Sequence, residues 1–309
     1  MKIVYMGTPD FSVGALEALV KARHEVVLVV TQPDKPKGRG KEIQISPVKE
    51  CALKLGLPVY QPAKIREPES VEHMKSIDAD IYVVAAFGQI LPQEILDIPR
   101  LGCVNIHASL LPKYRGAAPI QQAIIDGEEY TGVTIMQMDA GMDTGDILTQ
   151  RKVEITEEET GGSLFDKLSQ VGAELIVETL PLLEKGEITP IKQDESLSTR
   201  CGRLSKDMGR INWNMSAKNI SNLVRALNPW PSCFTKIDGK TLKIWSAWAT
   251  EDDQTGVPGT VASVDKEYIE INTGKGRLVC TQVQLEGKKR MHVKDFLLGY
   301  KIEKGMKLD

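Results

Sequence analysis

Residues 101–119 read LGCVNIHASLLPKYRGAAP, and this stretch indicates how the chain folds around a polar site. The apolar run at 101–106 predicts a buried strand. At its end an amide and an imidazole stand two residues apart. Because residues i and i+2 of a strand face the same side, Asn105 and His107 are expected to converge on one small group. The chain then turns, a short helix is expected from Pro119, and polar groups that follow a strand end are typical of the ligand sites of α/β proteins.

Short apolar runs separated by helix-like segments extend over the first half of the chain. Such an alternation predicts a doubly wound, mostly parallel sheet of the Rossmann type, because parallel strands need helical crossovers. Strands are predicted at 3–6, 26–31, 58–60, 81–86, 103–106 and 133–138, and helices at about 12–22, 47–55, 67–76 and 163–184.

The pattern changes near residue 188. Residues 189–206 are polar and aperiodic, and we predict that they form an interdomain linker. Closely spaced strand candidates follow, with Asp238-Gly239 as a tight-turn signal, so a small antiparallel β-barrel of the OB type is predicted. The predicted division is a catalytic domain at 1–188, the linker at 189–206 and a barrel domain at 207–309.

Composition and charge limit the classes to which the chain can belong. Its net charge is −3, but residues 205–309 hold 17 Lys/Arg and 12 Asp/Glu, a balance of +5, which hints at a large anionic partner. No apolar run approaches the roughly 20 residues of a membrane span, and the chain enters a strand pattern without a leader. The five cysteines are scattered without any Cys-x-x-Cys. We therefore expect a cytoplasmic protein with reduced thiols, no membrane association and no zinc framework.

A carboxylate completes the candidate site. Asp143 lies in a glycine-flanked turn after the strand predicted at 133–138, where it could hydrogen-bond His107 or a bound water. Asn105 could donate its amide protons to a carbonyl oxygen that gains negative charge, and His107 could relay a proton. No serine or cysteine stands in a nucleophile motif, so direct transfer between two bound substrates is favoured over a covalent intermediate.

Two other kinds of site are disfavoured. The chain has no His-Glu-x-x-His and no cysteine cluster, so no metal is expected. Gly7-Thr8-Pro9 follows the first strand but is not part of a Gly-x-Gly-x-x-Gly motif. This argues against a site for NAD or another dinucleotide. The remaining histidines have no comparable neighbours and are expected to be packing or surface residues; they are His24, His73 and His292.

Residues 105–119, joined to 132–148, resemble the signature of the folate-dependent formyltransferases. The matching stretches cover nearly the whole chain and are highly specific; the others are Met6-Gly7-Thr8-Pro9-Asp10-Phe11, Thr31-Gln32-Pro33-Asp34-Lys35-Pro36, Gly38-Arg39-Gly40, Gly88-Gln89-Ile90-Leu91-Pro92 and Gly209-Arg210-Ile211-Asn212-Trp213. Two residues depart from the family pattern. Phe87 stands where Tyr is common, which removes a hydroxyl near the presumed folate site, and Asn212 stands where Asp is common.

The resemblance implies transfer of a formyl group from 10-formyltetrahydrofolate to the α-amino group of methionine on initiator tRNA, for translation initiation. The family's catalytic trio falls on Asn105, His107 and Asp143. The implied folate-binding residues are Phe87, Gly88, Ile90, Leu91, Pro92, Ser109, Leu110, Leu111 and Pro112. The implied tRNA-binding residues lie in a basic loop and are Lys35, Lys37, Arg39 and Lys41. The barrel domain is expected to hold the tRNA body, and a monomer suffices for that.

Other functions remain open at this stage. The same donor could serve a small amine, or water in a formyltetrahydrofolate hydrolase, and such enzymes need neither Gly38-Arg39-Gly40 nor a basic C-terminal domain. A non-catalytic RNA-binding protein on an enzyme-like scaffold is a further possibility; it would bind tRNA with steep salt dependence and without turnover. The acceptor therefore has to be decided by other observations.

Overall fold

The computed structural model describes residues 1–37, 42–250 and 256–309. They form two compact units, which are interleaved along the chain. The first, here the N-terminal unit, comprises Met1–Gly116, Thr131–Glu154 and Phe165–Cys201. The second, the C-terminal unit, comprises Ala117–Tyr130, Ile155–Leu164 and Gly202–Asp309. The domain boundaries at 1–188, 189–206 and 207–309 stay a prediction.

Ten strands and six helices precede residue 185 in the described parts of the chain. In chain order they are β1 (Lys2–Gly7), α1 (Val13–Lys21), β2 (Glu25–Val30), β3 (Lys35–Lys37), β4 (Glu42–Gln44), α2 (Pro47–Lys54), β5 (Val59–Tyr60), α3 (Pro68–Lys75), β6 (Ile81–Ala85), α4 (Gln93–Leu96), β7 (Cys103–His107), β8 (Arg115–Gly116), α5 (Pro119–Ile125), β9 (Tyr130–Gln137), β10 (Ile147–Glu154) and α6 (Gly161–Glu184).

The N-terminal unit is built on a seven-stranded sheet with the order β10-β9-β7-β6-β1-β2-β5. The pairs of β1 with β2 and β6, of β2 with β5, and of β6 with β7 are parallel, whereas β9 runs antiparallel to β7. The central strand β1 is rich in apolar residues, and Ile3, Val4, Tyr5 and Met6 are all 0% exposed, as expected of a strand covered on both faces. The predicted mostly parallel α/β sheet is confirmed.

This topology places the ends of β6 and β7 side by side. Val84 pairs with Asn105, so the loops that leave these two strands begin at the same edge of the sheet. In open α/β sheets this edge, at the carboxyl ends of the strands, is where ligands bind. The polar residues of β7 are therefore positioned by the sheet itself.

The remaining elements in the described residues are β11 (Arg200–Cys201) of the N-terminal unit, then α7 (Ala217–Ala226), β12 (Cys233–Ile237), β13 (Lys240–Thr250), β14 (Val261–Val264), β15 (Ile269–Asn272), β16 (Arg277–Leu285), β17 (Met291–His292) and α8 (Val293–Gly299). The C-terminal unit contains an antiparallel six-stranded sheet with the order β12-β13-β16-β15-β14 and β17 paired to β16. Asp238 and Gly239 both have positive φ, at 50° and 75°, and join β12 to β13 as the tight-turn signal predicted. The predicted antiparallel C-terminal fold is confirmed.

No helix in the described residues is long and apolar enough to cross a membrane.

Candidate active site at the end of β7

Asn105 and His107 lie at the carboxyl end of β7, and His107 is its last residue. His107 is 6% exposed, and Asn105 is half-buried. Within the described parts of the chain the Asn105 carboxamide makes no hydrogen bond. A half-buried amide without a protein partner keeps both of its donor protons for a ligand, as an oxyanion-binding group requires.

The orientation of His107 is set by a backbone carbonyl. Its Nε2 lies 3.0 Å from the carbonyl oxygen of Tyr114, which can only accept, so Nε2 carries a proton and donates. A neutral imidazole has one ring proton, and Nδ1 is therefore the nitrogen with the free lone pair. Nδ1 faces Asp143, with 3.9 Å between Nδ1 and Oδ2.

Asp143 is held beside the ring by a second backbone group. Its Oδ2 accepts a hydrogen bond of 2.8 Å from the amide of Gly116. Asp143 itself has a φ of +55°, in the left-handed region that favours glycine, so the turn is held in a conformation that an aspartate does not adopt freely. The distance to Nδ1 is too long for the hydrogen bond that the sequence suggested, so the carboxylate faces the ring without bonding to it.

The loop that follows β7 is fixed by one hydroxyl. The Oγ1 of Thr134, which is 0% exposed, donates to the carbonyl of Ser109 at 2.6 Å and accepts from the amide of Leu111 at 3.1 Å. Gln150 donates to the same hydroxyl and to the carbonyl of Leu111, both at 2.9 Å. Leu111 packs against Met136 and Ile147. Four predicted folate residues, Ser109, Leu110, Leu111 and Pro112, thus lie in a loop whose backbone is held by neighbouring strands.

The other predicted folate segment leaves the end of β6. Phe87 and Leu91 are 2% and 4% exposed and belong to the core of the N-terminal unit, so their side chains pack inward. Gln32 donates to the carbonyls of Phe87 and Gly88, at 3.3 and 2.9 Å. Ile90 is 78% exposed and is the apolar side chain of this segment that is open to a ligand, while Pro92 precedes α4.

The predicted tRNA-binding loop is described only in part. Lys35 and Lys37 lie in β3, whose backbone pairs antiparallel with β4. Arg39 and Lys41 lie outside the described residues.

Three residues of the site were not predicted from the sequence. Arg115 is 1% exposed and forms a two-point ion pair with Glu195, while Gln193 joins it to the Asp143 turn. The hydrogen bond from Arg115 lowers the pKa of the Glu195 carboxyl. Arg115 lies within residues 101–119, but its partners Gln193 and Glu195 follow 78 and 80 residues later, in the predicted linker.

No group of three or more His, Cys, Asp or Glu in the described ranges is arranged to hold a metal ion. The site thus combines an amide and an imidazole at the end of β7 with a carboxylate in the connection between β9 and β10, groups that suit acyl transfer between two bound substrates. This arrangement makes the end of β7 the candidate site for group transfer on the α/β sheet.

Comparison with known proteins shows the family to which the chain belongs. Residues 1–180 match the family model described as formyl transferase, and residues 203–301 match that of its C-terminal domain. Methionyl-tRNA formyltransferase of Agathobacter rectalis is 53% identical over 99% of this chain and 98% of its own length, and that of Lachnospira eligens is 54% identical over 100% and 99%. The chain therefore belongs to the formyl transferase family, among the methionyl-tRNA formyltransferases, and is an enzyme.

Solved structures share the fold. The N-formyltransferase from Helicobacter canadensis, in complex with folinic acid and dTDP-3-aminofucose, has a TM-score of 0.68 at 20% identity, over 91% of this chain and 98% of that chain. HypX from Aquifex aeolicus in complex with tetrahydrofolic acid has a TM-score of 0.63 at 19% identity, over 99% of this chain and 50% of that chain. At such identities the likeness concerns the fold alone.

Proposed function

We propose that the protein transfers a formyl group from 10-formyltetrahydrofolate to the α-amino group of methionine on initiator tRNA. Methionyl-tRNA as the acceptor is supported by relatives that are 53% and 54% identical over nearly the full chain and are named methionyl-tRNA formyltransferases. A folate donor is supported by two proteins of the same fold whose structures contain a folate. The orientation of His107 between Tyr114 and Asp143 is the single observation that carries the chemistry.

In the proposed reaction the amino nitrogen of methionine attacks the formyl carbon. The new C–N bond forms as the carbonyl oxygen gains negative charge, and the free amide protons of Asn105 stabilise that oxygen. The bond between the formyl carbon and N10 of the folate then breaks. The proton lost by the amine ends on N10, so the reaction needs no other reactant.

His107 carries that proton through Nδ1. Because Nε2–H is donated to Tyr114, Nδ1 is the nitrogen with a lone pair in the neutral ring. A proton taken up at Nδ1 faces the carboxylate of Asp143, which stabilises the imidazolium until the proton passes to the leaving nitrogen. The amide of Gly116 holds the carboxylate in place during both steps.

Binding of the substrates involves further residues. We assign the folate to the two loops that leave β6 and β7 at one edge of the sheet, with Ile90 as an open apolar contact. We assign the tRNA to the basic loop with Lys35, Lys37, Arg39 and Lys41 and to residues 205–309, which include the predicted barrel domain. Residues 205–309 carry 17 Lys/Arg against 12 Asp/Glu, which favours an anionic partner.

A formylation assay tests the proposal. Purified protein is incubated with 10-formyltetrahydrofolate and either initiator or elongator methionyl-tRNA, and formylmethionyl-tRNA and free formate are measured. Formylmethionine is expected on the initiator tRNA in excess over the elongator. Formate release without formylmethionine would instead indicate a hydrolase, and binding of tRNA without either product would indicate a non-catalytic RNA-binding protein.

A further inference from the structure

Gln193 connects a buried cation to the turn that holds Asp143. Its Oε1 accepts from Arg115 Nε at 3.0 Å and from Nη2 at 2.9 Å. Its Nε2 donates to the carbonyl oxygens of Asp143 at 2.9 Å and Gly145 at 2.7 Å. A guanidinium has only donors and a carbonyl can only accept, so the amide can point in one direction alone.

The other end of this connection is anchored firmly. Arg115 is 1% exposed, and its guanidinium donates to both carboxylate oxygens of Glu195, at 2.8 and 2.9 Å. Two parallel hydrogen bonds of this kind fix the plane of the guanidinium. Gln193 is therefore held by a buried guanidinium, whose carboxylate partner Glu195 is 70% exposed.

The turn is clamped from two sides. On the inner side, the amide of Gln137 at the end of β9 donates to the carbonyl of Asp146 at 2.8 Å. Gly145 lies so close to β9 that a Cβ atom there would stand 1.7 Å from the carbonyl oxygen of Gln137. On the other side, Gln193 donates to the carbonyls of Asp143 and Gly145. Losing them would free the backbone of Asp143, whose φ of +55° is unfavourable.

The same backbone segment also reaches the carboxylate. Gly116, which follows Arg115, donates its amide to Asp143 Oδ2, and Tyr114, which precedes it, supplies the carbonyl that orients His107. Thr199 holds this segment through its hydroxyl, which accepts from the amide of Tyr114 at 2.8 Å. Gln193 and Thr199 thus support the carboxylate and the imidazole, respectively.

We propose that Gln193, anchored by Arg115, is a positioning residue that fixes the Asp143 carboxylate beside Nδ1 of His107. The inference rests on the proposed formyl transfer and deepens it. Gln193 acts through Asp143 and not on the substrates. Among uncharged side chains of this length only an amide accepts from a guanidinium at one end and donates to two carbonyls at the other.

Gln193→Glu is the informative variant. It keeps an acceptor for Arg115 but replaces the two donor protons by an oxygen that repels the carbonyls of Asp143 and Gly145. We expect kcat to fall by about 10- to 100-fold, as for other groups that orient a reacting residue. KM for both substrates should change by less than about threefold, because no substrate contact is lost. Ser196→Ala is the matched control: its hydroxyl donates to Asp194, away from the Asp143 turn, and the variant should keep activity within about twofold.

A double-mutant cycle separates positioning from a merely structural role. In an Asp143→Asn background, single-turnover rates should fall by less than about threefold on adding Gln193→Glu, because the charge to be positioned is already absent. A further loss equal to that in the wild type would overturn the inference, as would a kcat within threefold of wild type for Gln193→Glu alone. If Gln193→Glu does not fold, Gln193→Asn, one methylene shorter, enters the same cycle with the same two outcomes. A wild type that makes no formylmethionyl-tRNA overturns the proposed function and this inference together, whereas an active wild type confines any failure to Gln193.

Discussion

At the scale of single residues, the site depends on which nitrogen of His107 is free. The carbonyl of Tyr114 takes the proton of Nε2, so the lone pair of Nδ1 is directed at the only carboxylate within 4 Å of the ring among the described residues. Asp143 in turn is fixed by the amide of Gly116. The carbonyl of Tyr114 and the amide of Gly116, two residues apart, therefore orient the imidazole and the carboxylate.

Asn105→Asp tests the role of the free amide. The substitution keeps the shape of the side chain but replaces its donor by a carboxylate, which would repel the developing oxyanion. We expect kcat to fall by about 10²- to 10³-fold, the effect of losing one oxyanion-binding donor. The melting temperature should change little, because the amide makes no hydrogen bond within the described parts of the chain.

Gln170→Glu in α6 is the control for this change, since it alters an exposed amide of the N-terminal unit that is assigned to neither substrate. It should leave kcat unchanged. A kcat for Asn105→Asp within fivefold of the wild type would remove Asn105 from the role of oxyanion donor.

The sequence predicted part of this site. Asn105 and His107 stand out because a strand brings residues i and i+2 to one face, and Asp143 follows a neighbouring strand. Gln193 was not predicted, because its bond to Arg115 joins positions 78 residues apart, and no local pattern reports such a pairing. The burial of Arg115 was hidden for the same reason: its charge is satisfied by Glu195, which is 80 residues away.

At the scale of elements, the end of β7 is positioned by its two neighbours. β6 pairs with it in parallel and β9 in antiparallel register, and His107 stands opposite Thr134 of β9. The apolar strands of the sheet centre were predicted, because burial on both faces imposes a continuous apolar run. β10 was not predicted, because it lies at the sheet edge and carries the polar run Gln150-Arg151-Lys152. β8 and β11 have two residues each and exist only through their mutual pairing.

Thr134→Val tests how β9 holds the loop after β7. The hydroxyl of Thr134 contacts Ser109, Leu111 and Gln150, so its removal leaves buried polar groups without a partner. We expect the free energy of unfolding to fall by about 1–3 kcal/mol, measured by urea denaturation. KM for the folate should rise as well, since the loop at 109–112 loses its support.

The same strand offers a matched control. Thr131 is 2% exposed, and its hydroxyl has no hydrogen-bond partner in the described residues. Thr131→Val should therefore leave the free energy of unfolding unchanged or raise it, because a buried unpaired hydroxyl is removed. Equal destabilisation by the two substitutions would show that the hydroxyl of Thr134 does not support the loop.

At the scale of the whole molecule, each unit has its own apolar core, and charge is unequally distributed along the chain. Residues 205–309 carry a balance of +5 although the chain as a whole carries −3. The excess of cations at 205–309 suits a large anionic partner. The antiparallel fold of the C-terminal unit could be predicted because Asp238-Gly239 favours a tight hairpin turn through its own backbone preference, which does not depend on distant residues.

Arg39→Ala tests the assignment of the basic loop to tRNA. We expect weaker binding of tRNA, with the slope of log affinity against log salt concentration reduced by about one, and unchanged binding of the folate. Lys54→Ala in α2 removes a cation of an exposed ion pair with Glu50 and serves as the control. An equal loss of folate and tRNA binding would refute the assignment.

The cysteines provide a test of packing in both units. All five are buried. Burial raises the pKa of Cys51 to about 11 and that of Cys103 and Cys233 to about 12, and it also raises the pKa of Cys280. Only the thiolate is alkylated, and a raised pKa delays its formation as pH increases. At pH 8 iodoacetamide should label these four cysteines only after unfolding; rapid labelling of the native protein would contradict the packing described.

The central claim is that His107 carries the proton of the transfer. The most direct measurement is the single-turnover rate of formylmethionyl-tRNA formation by His107→Ala with both substrates saturating. We expect the rate to fall by about 10²- to 10⁴-fold, the usual contribution of a general acid–base group, while both substrates still bind. A rate within tenfold of the wild type would contradict the claim.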